Sequence, residues 1–251
     1  MWLYWLDTPG AVRKPRPFNM RTKTNFPPHT LTLSLILPVS PGYRNFQMFV
    51  CALLHTSPVT FTRITLPLSD PGRIPSLLEL QHGIAAAWKR GYDVDGREHY
   101  KNRIVGTRAF VGTHEFNTLL RSLRIKSNVR RFDSCGDEDS NCADAAHALL
   151  DYAEEYFSTP NRSCVYLQYH PHSVTVVGVR KASEWFERAL LVFDPKANKK
   201  QAEKSATKAM STWTHKFLSG KKKFEVLELI GEDKIDEGMV ENSKQTLLDL
   251  E

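Results

Sequence analysis

The sequence predicts an α+β domain, a helix near its start packed on a mainly antiparallel sheet, and three observations predict it. Apolar residues recur at helical spacing in four segments between Gly42 and Phe157. From Cys164 onward the period switches from helical to two. At 251 residues, with 41% apolar and 25% charged, the chain is long enough for one sizeable core and does not require a second.

The first helix follows Gly42, where "YRNFQMFVCALL" places Phe46, Phe49, Val50, Leu53 and Leu54 on one face. The second lies in "IPSLLELQHGIAAAWKRGYD". Ser76 and Glu79 form a capping box, Leu77, Gln81, Ile84 and Trp88 make a stripe, and Gly91 stands where a C-terminal cap belongs. A third helix, about 113 to 123, turns Phe116, Leu119, Leu120 and Leu123 inward, and a fourth, 143 to 157, does so with Ala146, Leu149, Leu150, Ala153 and Phe157. Then "CVYLQY", "SVTVVGVR" and "RALLVFD" are short β-branched or aromatic runs separated by turn material, the pattern of adjacent antiparallel strands. A lysine-rich helix from about Lys200 to Leu218 and a last strand, "KFEVLELI", complete the domain.

Residues 1 to 41 carry seven of the fourteen prolines and no sustained apolar period, so an irregular segment is expected there. The domain proper is 42 to 230, followed by an acidic tail from 231 to 251. The net charge of +6 is uneven, with nine lysines facing one glutamate between Lys196 and Lys223. These lysines read first as a solvated face; an anion- or nucleic-acid-binding module is the alternative. Few aromatics interleave with them, which argues against a single-strand stacking platform.

The apolar run "LTLSLILPV" is about half the length of a membrane span, so no membrane association is expected. The basic, threonine-bearing start has transit-peptide composition, but its prolines spoil an amphipathic helix, and a cytoplasmic or nuclear protein is expected. Cys51, Cys135, Cys142 and Cys164 lack the paired short spacing of a zinc knuckle or a disulfide framework. Cys135 and Cys142 bracket an acidic loop with His147 close by, yet closed zinc sites draw four ligands from tighter pairs; neither metal nor cofactor is expected.

Gln168, His170, His172 and Asp194 stand at strand ends where a core has no use for them. A His and an Asp on neighbouring strand ends can meet, the Asp then fixing the imidazole tautomer, which is the base and orienter of a nucleophilic triad. The Gln168 amide can serve as an oxyanion donor beside them. Each of these residues alone is more often structural; together they call for a nucleophile at a helix N-terminus, where the dipole lowers a thiol pKa. The helix that begins at Gly42 is the place for it.

The blocks "GYRNFQMF", "IPSLLELQHGIAAAWKRGYDVDG", "GTRAFVGTHE", "VYLQYHPHSVTVVGVR" and "LLVFDP" resemble, in order, the motifs of the ubiquitin-fold-modifier-specific protease family. More closely they resemble its zinc-finger-bearing deubiquitinase branch and the finger-less fungal relatives. The resemblance implies a papain-like cysteine peptidase fold and cleavage after the C-terminal Gly-Gly of ubiquitin or a ubiquitin-like modifier. It implies that His172 is the general base, with Pro171 where the family has glycine, that Asp194 is the orienting acid, and that Gln168 is the oxyanion-hole glutamine.

The nucleophile does not carry over. The family has a cysteine immediately before "GYRN", and this sequence has Pro41, which offers neither a thiol nor a backbone N–H. Loss of a triad nucleophile removes on the order of a millionfold in turnover. Cys51 lies about 15 Å further along the helix and reads as a small core residue, and Cys164 lies in the sheet without a helix dipole. Two explanations of Pro41 stand: a pseudoenzyme that keeps its base, acid and glutamine and still binds its modifier, or a gene-model error that replaced the exon bearing the cysteine. The abrupt end of the resemblance at Gly42 and the unlike forty residues before it favour the error. Sequencing the transcript across codons 30 to 45 is expected to reveal a different upstream exon, and an uninterrupted message reading "SPGYRN" would overturn that explanation.

Overall fold

A computed structural model describes residues 41–70, 72–134, 144–194, 210–234 and 238. The segment before Pro41, the loop bearing Cys135 and Cys142, most of the lysine-rich stretch and the acidic tail after 238 lie outside the described residues. Helices α1 (Pro41–Thr56), α2 (Pro58–Leu68), α3 (Leu77–Lys89), α4 (Val94–His99) and α5 (Thr113–Ser122) precede strand β1 (Ile125–Asp133). Helix α6 (Ala145–Ser158) follows, then β2 (Val165–Tyr169), β3 (His172–Arg180), β4 (Ala189–Phe193), β5 (Met210–Thr214), the short α7 (His215–Leu218) and β6 (Lys223–Lys234). The six strands form one sheet in the order β1-β6-β2-β3-β4-β5, each neighbouring pair antiparallel. The α+β layout and the helix on an antiparallel sheet are as the sequence predicts.

Strand alternation gives the sheet two apolar faces, and each has its own core. On one face Tyr166, Val177, Leu227 and Leu229 meet α1 to α5 through Phe46, Phe49, Leu53, Ile84, Trp88 and Phe116. On the other, Leu167, Val174, Val176, Val192 and Val226 meet α6 through Ala146, Leu149, Leu150 and Ala153. Phe46 stacks on Phe116 at 4.1 Å between ring centres, a contact worth about 1 kcal/mol beyond burial. Leu54, expected inward, is 46% exposed, because the α1 stripe turns past it onto Val50 and Leu53.

The helix ends follow their sequence signals. Ser76 Oγ accepts from Glu79 N while the Glu79 carboxylate accepts from Ser76 N at 2.7 Å, and Gly91 takes the left-handed φ of +87° just past α3. Four elements were not read from the sequence, the six-residue α4 among them, which the Asp93 side chain caps at Gly96 N. Helix α2 is rich in β-branched residues, which favour strands, and is started instead by the Ser57 cap with Pro58 at its first position. Strand β1 is a polar edge strand, "IKSNVRRFD", with only Ile125 and Ser127 buried. Residues 210–214, expected as the end of a lysine-rich helix, instead form β5 on β4, where Trp213 packs edge-on to Tyr169 at 5.6 Å. Pairing and the aromatic contact override the helical reading.

Replacing Ser76 by Ala leaves the Glu79 N–H without its cap and should lower stability by about 1 kcal/mol. Urea unfolding should show a lower midpoint at unchanged slope.

Candidate active site

The β2–β3 turn is what presents His172. Tyr169 pairs with His172 and Gln168 with Ser173, so His170 and Pro171 make a two-residue turn and His172 opens β3. Phe193 pairs with Thr175, which brings the next residue, Asp194, alongside the start of β3. The result is a contact of 3.1 Å between His172 Nε2 and Asp194 Oδ2. A carboxylate oxygen accepts, so the contact calls for the N–H on Nε2, and in the neutral ring that tautomer leaves the lone pair on Nδ1. Nδ1 is buried and has no hydrogen-bond partner among the described residues. The Tyr169 ring stands edge-on to the imidazole at 5.8 Å and limits its rotation.

Gln168 is oriented from the opposite side. Its Oε1 accepts from Thr113 N, the first residue of α5, at 3.0 Å. A backbone N–H can bond only the amide oxygen, so the Gln168 NH₂ is directed away from α5 as a donor. Gly112 makes this approach possible: a Cβ there would lie 2.2 Å from Gln168 Oε1. Thr113 is held in turn by its hydroxyl, which donates to Glu225 Oε2 at 2.9 Å.

The first turn of α1 packs on the segment before α5 and on β3. A Cβ on Gly42 would meet the Val111 carbonyl oxygen at 2.1 Å, so only glycine lets the helix start against the segment that carries Gly112. Asn45, fully buried, donates from Nδ2 to Ser173 Oγ at 2.9 Å and accepts at Oδ1 from Thr175 Oγ1 at 3.0 Å. These bonds fasten α1 to the strand that begins with His172. Pro41 precedes Asn45 by four residues and so shares its helix face, one turn nearer the N-terminus. Position 41 therefore stands at a helix start flanked by the Gln168 support on one side and the origin of β3 on the other.

The model of peptidase family C78 matches residues 40–229, a span that holds His172, Asp194, Gln168, Asn45 and Pro41. The chain belongs to peptidase family C78. The zinc finger-containing ubiquitin peptidase 1 of Bos taurus is 34% identical over 169 residues, covering 65% of this chain and 28% of its own. That of Homo sapiens is 31% identical over the same length and coverage. The ubiquitin carboxyl-terminal hydrolase mug105 of Schizosaccharomyces pombe is 30% identical over 158 residues, covering 61% of this chain and 58% of that protein. The chain thus spans a little over a quarter of the ubiquitin peptidase relatives' length and over half of the fission yeast protein's. A solved structure of UfSP from C. elegans superposes with a TM-score of 0.41 at 17% identity, over 65% of this chain and 26% of that one.

Within the C78 domain the described cysteines are placed away from the helix start. Cys51 is half-buried on α1, where burial pushes its thiol up. Cys164 is buried just ahead of β2, and burial raises its thiol to about 12. Neither holds a thiolate at neutral pH. His170 is exposed in the turn and contributes nothing to the His172–Asp194 pair. A groove of about 420 Å³ runs past Gln168, lined by Tyr169, His170, Lys221, Lys222, Lys223 and Glu225. It brings the lysine-rich turn, read from sequence as a solvated face, beside the glutamine.

Sequence reasoning missed Asn45, Gly112, Thr113 and Glu225. Two had a signal: Asn45 lies inside an apolar helical stripe, and Glu225 lies in an apolar strand, places where a buried polar group needs a purpose. The Glu225 carboxyl is held down at about 2, first by its hydrogen bond with His114 and then, against the opposing effect of burial, by the Thr113 hydroxyl. His114 is correspondingly raised by Glu225. Arg131 Nε adds a contact of 3.3 Å to Glu225 Oε1.

A depressed carboxylate contributes stability above its unfolded pKa and loses it as pH falls toward its folded value; a raised imidazole contributes below its unfolded pKa and loses it as pH rises. The pair therefore stabilises most at about pH 5 to 6. Glu225→Gln should cost about 1–2 kcal/mol there. Denaturation across pH should show the gap to the parent closing as pH approaches 2.

Proposed function

We propose that this domain is the scaffold of a cysteine peptidase acting on ubiquitin or a ubiquitin-like modifier at the bond after its C-terminal Gly-Gly. With Pro41 in the nucleophile's place, the chain as written binds the modifier and does not cleave it. The observation that supports this reading is the His172–Asp194 contact, with Gln168 anchored to α5 and α1 fastened to β3 through Asn45. In a thiol mechanism a cysteine at position 41 gives its proton to His172 Nδ1, the ring atom whose lone pair the Asp194 contact leaves available. The thiolate then attacks the carbonyl of the terminal glycine. Asp194 steadies the imidazolium so formed, and the Gln168 NH₂ donates to the developing oxyanion. His172 returns the proton to the leaving amine, and water completes the turnover with the same base.

Pro41 removes the first step and leaves the others in place. It also suits its position structurally, because the first residue of a helix has no intrahelical partner for its N–H. The names of the ubiquitin peptidase relatives support ubiquitin as the first modifier to test.

Pro41→Cys should form a covalent adduct with a C-terminally activated ubiquitin or ubiquitin-like probe, seen as a mass increase of one modifier. The parent chain should form none while retaining measurable affinity for the free modifier. Pro41→Cys combined with His172→Ala should lose at least a thousandfold in adduct rate. No adduct with any modifier probe from a folded Pro41→Cys protein would sink the assignment.

A further inference from the structure

On the far side of the sheet from α1, three metal-ligating side chains meet outside the site described above. Asp144 is the N-cap of α6, His147 lies in the first turn of that helix, and His215 opens α7, 71 residues away from Asp144. One ligand atom from each lies within 4.8 Å of the other two. Asp144 divides its carboxylate between two tasks. Oδ1 accepts from Ala146 N at 2.9 Å and caps the helix, while Oδ2 faces His147 Nδ1 at 3.3 Å and contacts His215 Nε2. The two imidazoles stack, ring centres 3.9 Å apart and planes inclined by 26°.

We infer that Asp144, His147 and His215 form a binding site for a zinc-class divalent transition-metal ion. A cation at the shared edge of the two rings, beside Asp144 Oδ2, would take the in-plane lone pairs of His147 Nδ1 and His215 Nε2 together with a carboxylate oxygen, donors from two elements that already lie within 4.8 Å of one another. Donors about 2.0–2.2 Å from a tetrahedral zinc lie about 3.3–3.5 Å from one another; Asp144 Oδ2 and His147 Nδ1 are already at 3.3 Å, and an entering ion would part Oδ2 from its direct contact with His215 Nε2. Two nitrogens and one oxygen select Zn²⁺, Co²⁺ or Ni²⁺ over the oxygen-seeking Ca²⁺ and Mg²⁺. His147 and His215 side chains are 59% and 36% exposed, so the ion can enter from solvent and water can complete its coordination. From the sequence a site of His147 with Cys135 and Cys142 is set aside and no metal is expected; the donors assembled here come from the helix cap, its first turn and α7. Bound metal clamps α7, and with it β5 and β6, onto α6.

The full chain, stripped with a chelator and returned to buffer, is titrated with Zn²⁺ by calorimetry and with Co²⁺ by visible absorption. One ion per chain at micromolar affinity, a tetrahedral Co²⁺ band, and a rise in Tm reversed by chelator are expected. His147→Ala and His215→Ala should each weaken Zn²⁺ binding by about tenfold or more, whereas His172→Ala should leave it unchanged. Since His215→Ala could loosen α7, Co²⁺ broadening of the parent protein's amide spectrum gives an independent reading, centred on residues 144–147 and 215. Absence of saturable Zn²⁺ binding, binding that survives both His variants, or broadening centred elsewhere would overturn the inference.

Discussion

Asn45 joins the helical half of this molecule to its sheet. It is fully buried, and its side-chain amide is spent on Ser173 and Thr175, both on the strand that starts with His172. A buried amide left unpaired costs about 1–3 kcal/mol per lost partner, so α1 is held at the register and rotation that keep these bonds. One turn away, Gly42 lets the same helix start directly on the Val111 carbonyl. With both ends of that first turn fixed, position 41 has one location relative to the sheet, and the site inherits its geometry from this docking. The aromatic stack of Phe46 on Phe116 carries the constraint into α5, whose first residue orients Gln168.

A second chain of contacts runs beneath the glutamine. Glu225 on β6 holds the Thr113 hydroxyl, Thr113 N holds the Gln168 oxygen, and Gly112 provides the room. Charge enters this chain at its base, where His114 and Lys223 help keep Glu225 ionised and Arg131 lies beside it. The donor that faces the site is a neutral amide whose orientation is dictated by a backbone N–H. Such an amide donor carries no titrating proton, while its support does. His172 shows the complementary arrangement: its orientation comes from one charged partner, Asp194, and from the edge of Tyr169.

The same aromatic ring relates the two sides of the sheet. Tyr169 touches His172, Trp213 touches Tyr169, and Phe217 of α7 packs on Trp213. The imidazole of His172 is therefore three ring contacts from the helix that carries His215. The position of α7 against α6 bears on the packing behind the His172–Asp194 pair through these ring contacts.

Ser76 and Glu79, Gly91, the four apolar helical stripes and the period-two strands were all legible, because each depends on residues within one or two turns of one another. So was the meeting of His172 with Asp194, since polar residues at neighbouring strand ends have few structural reasons to be there. Strand β5 and edge strand β1 were not, because their conformation is set by the strands they pair with, β4 and β6, and not by their own composition. Gly112 and Thr113 read as an ordinary helix start, and nothing local says that an amide 55 residues away will rest on them. By itself the sequence determined the four apolar helices, the strands β2, β3, β4 and β6, the polar residues at the ends of three of them and the absence of a thiol before "GYRN". Only the tertiary structure decided which face of Gln168 is turned outward, what fixes α1 against β3, and that Asp144 and His147 meet His215, because these depend on side chains brought together by folding across long separations in the chain.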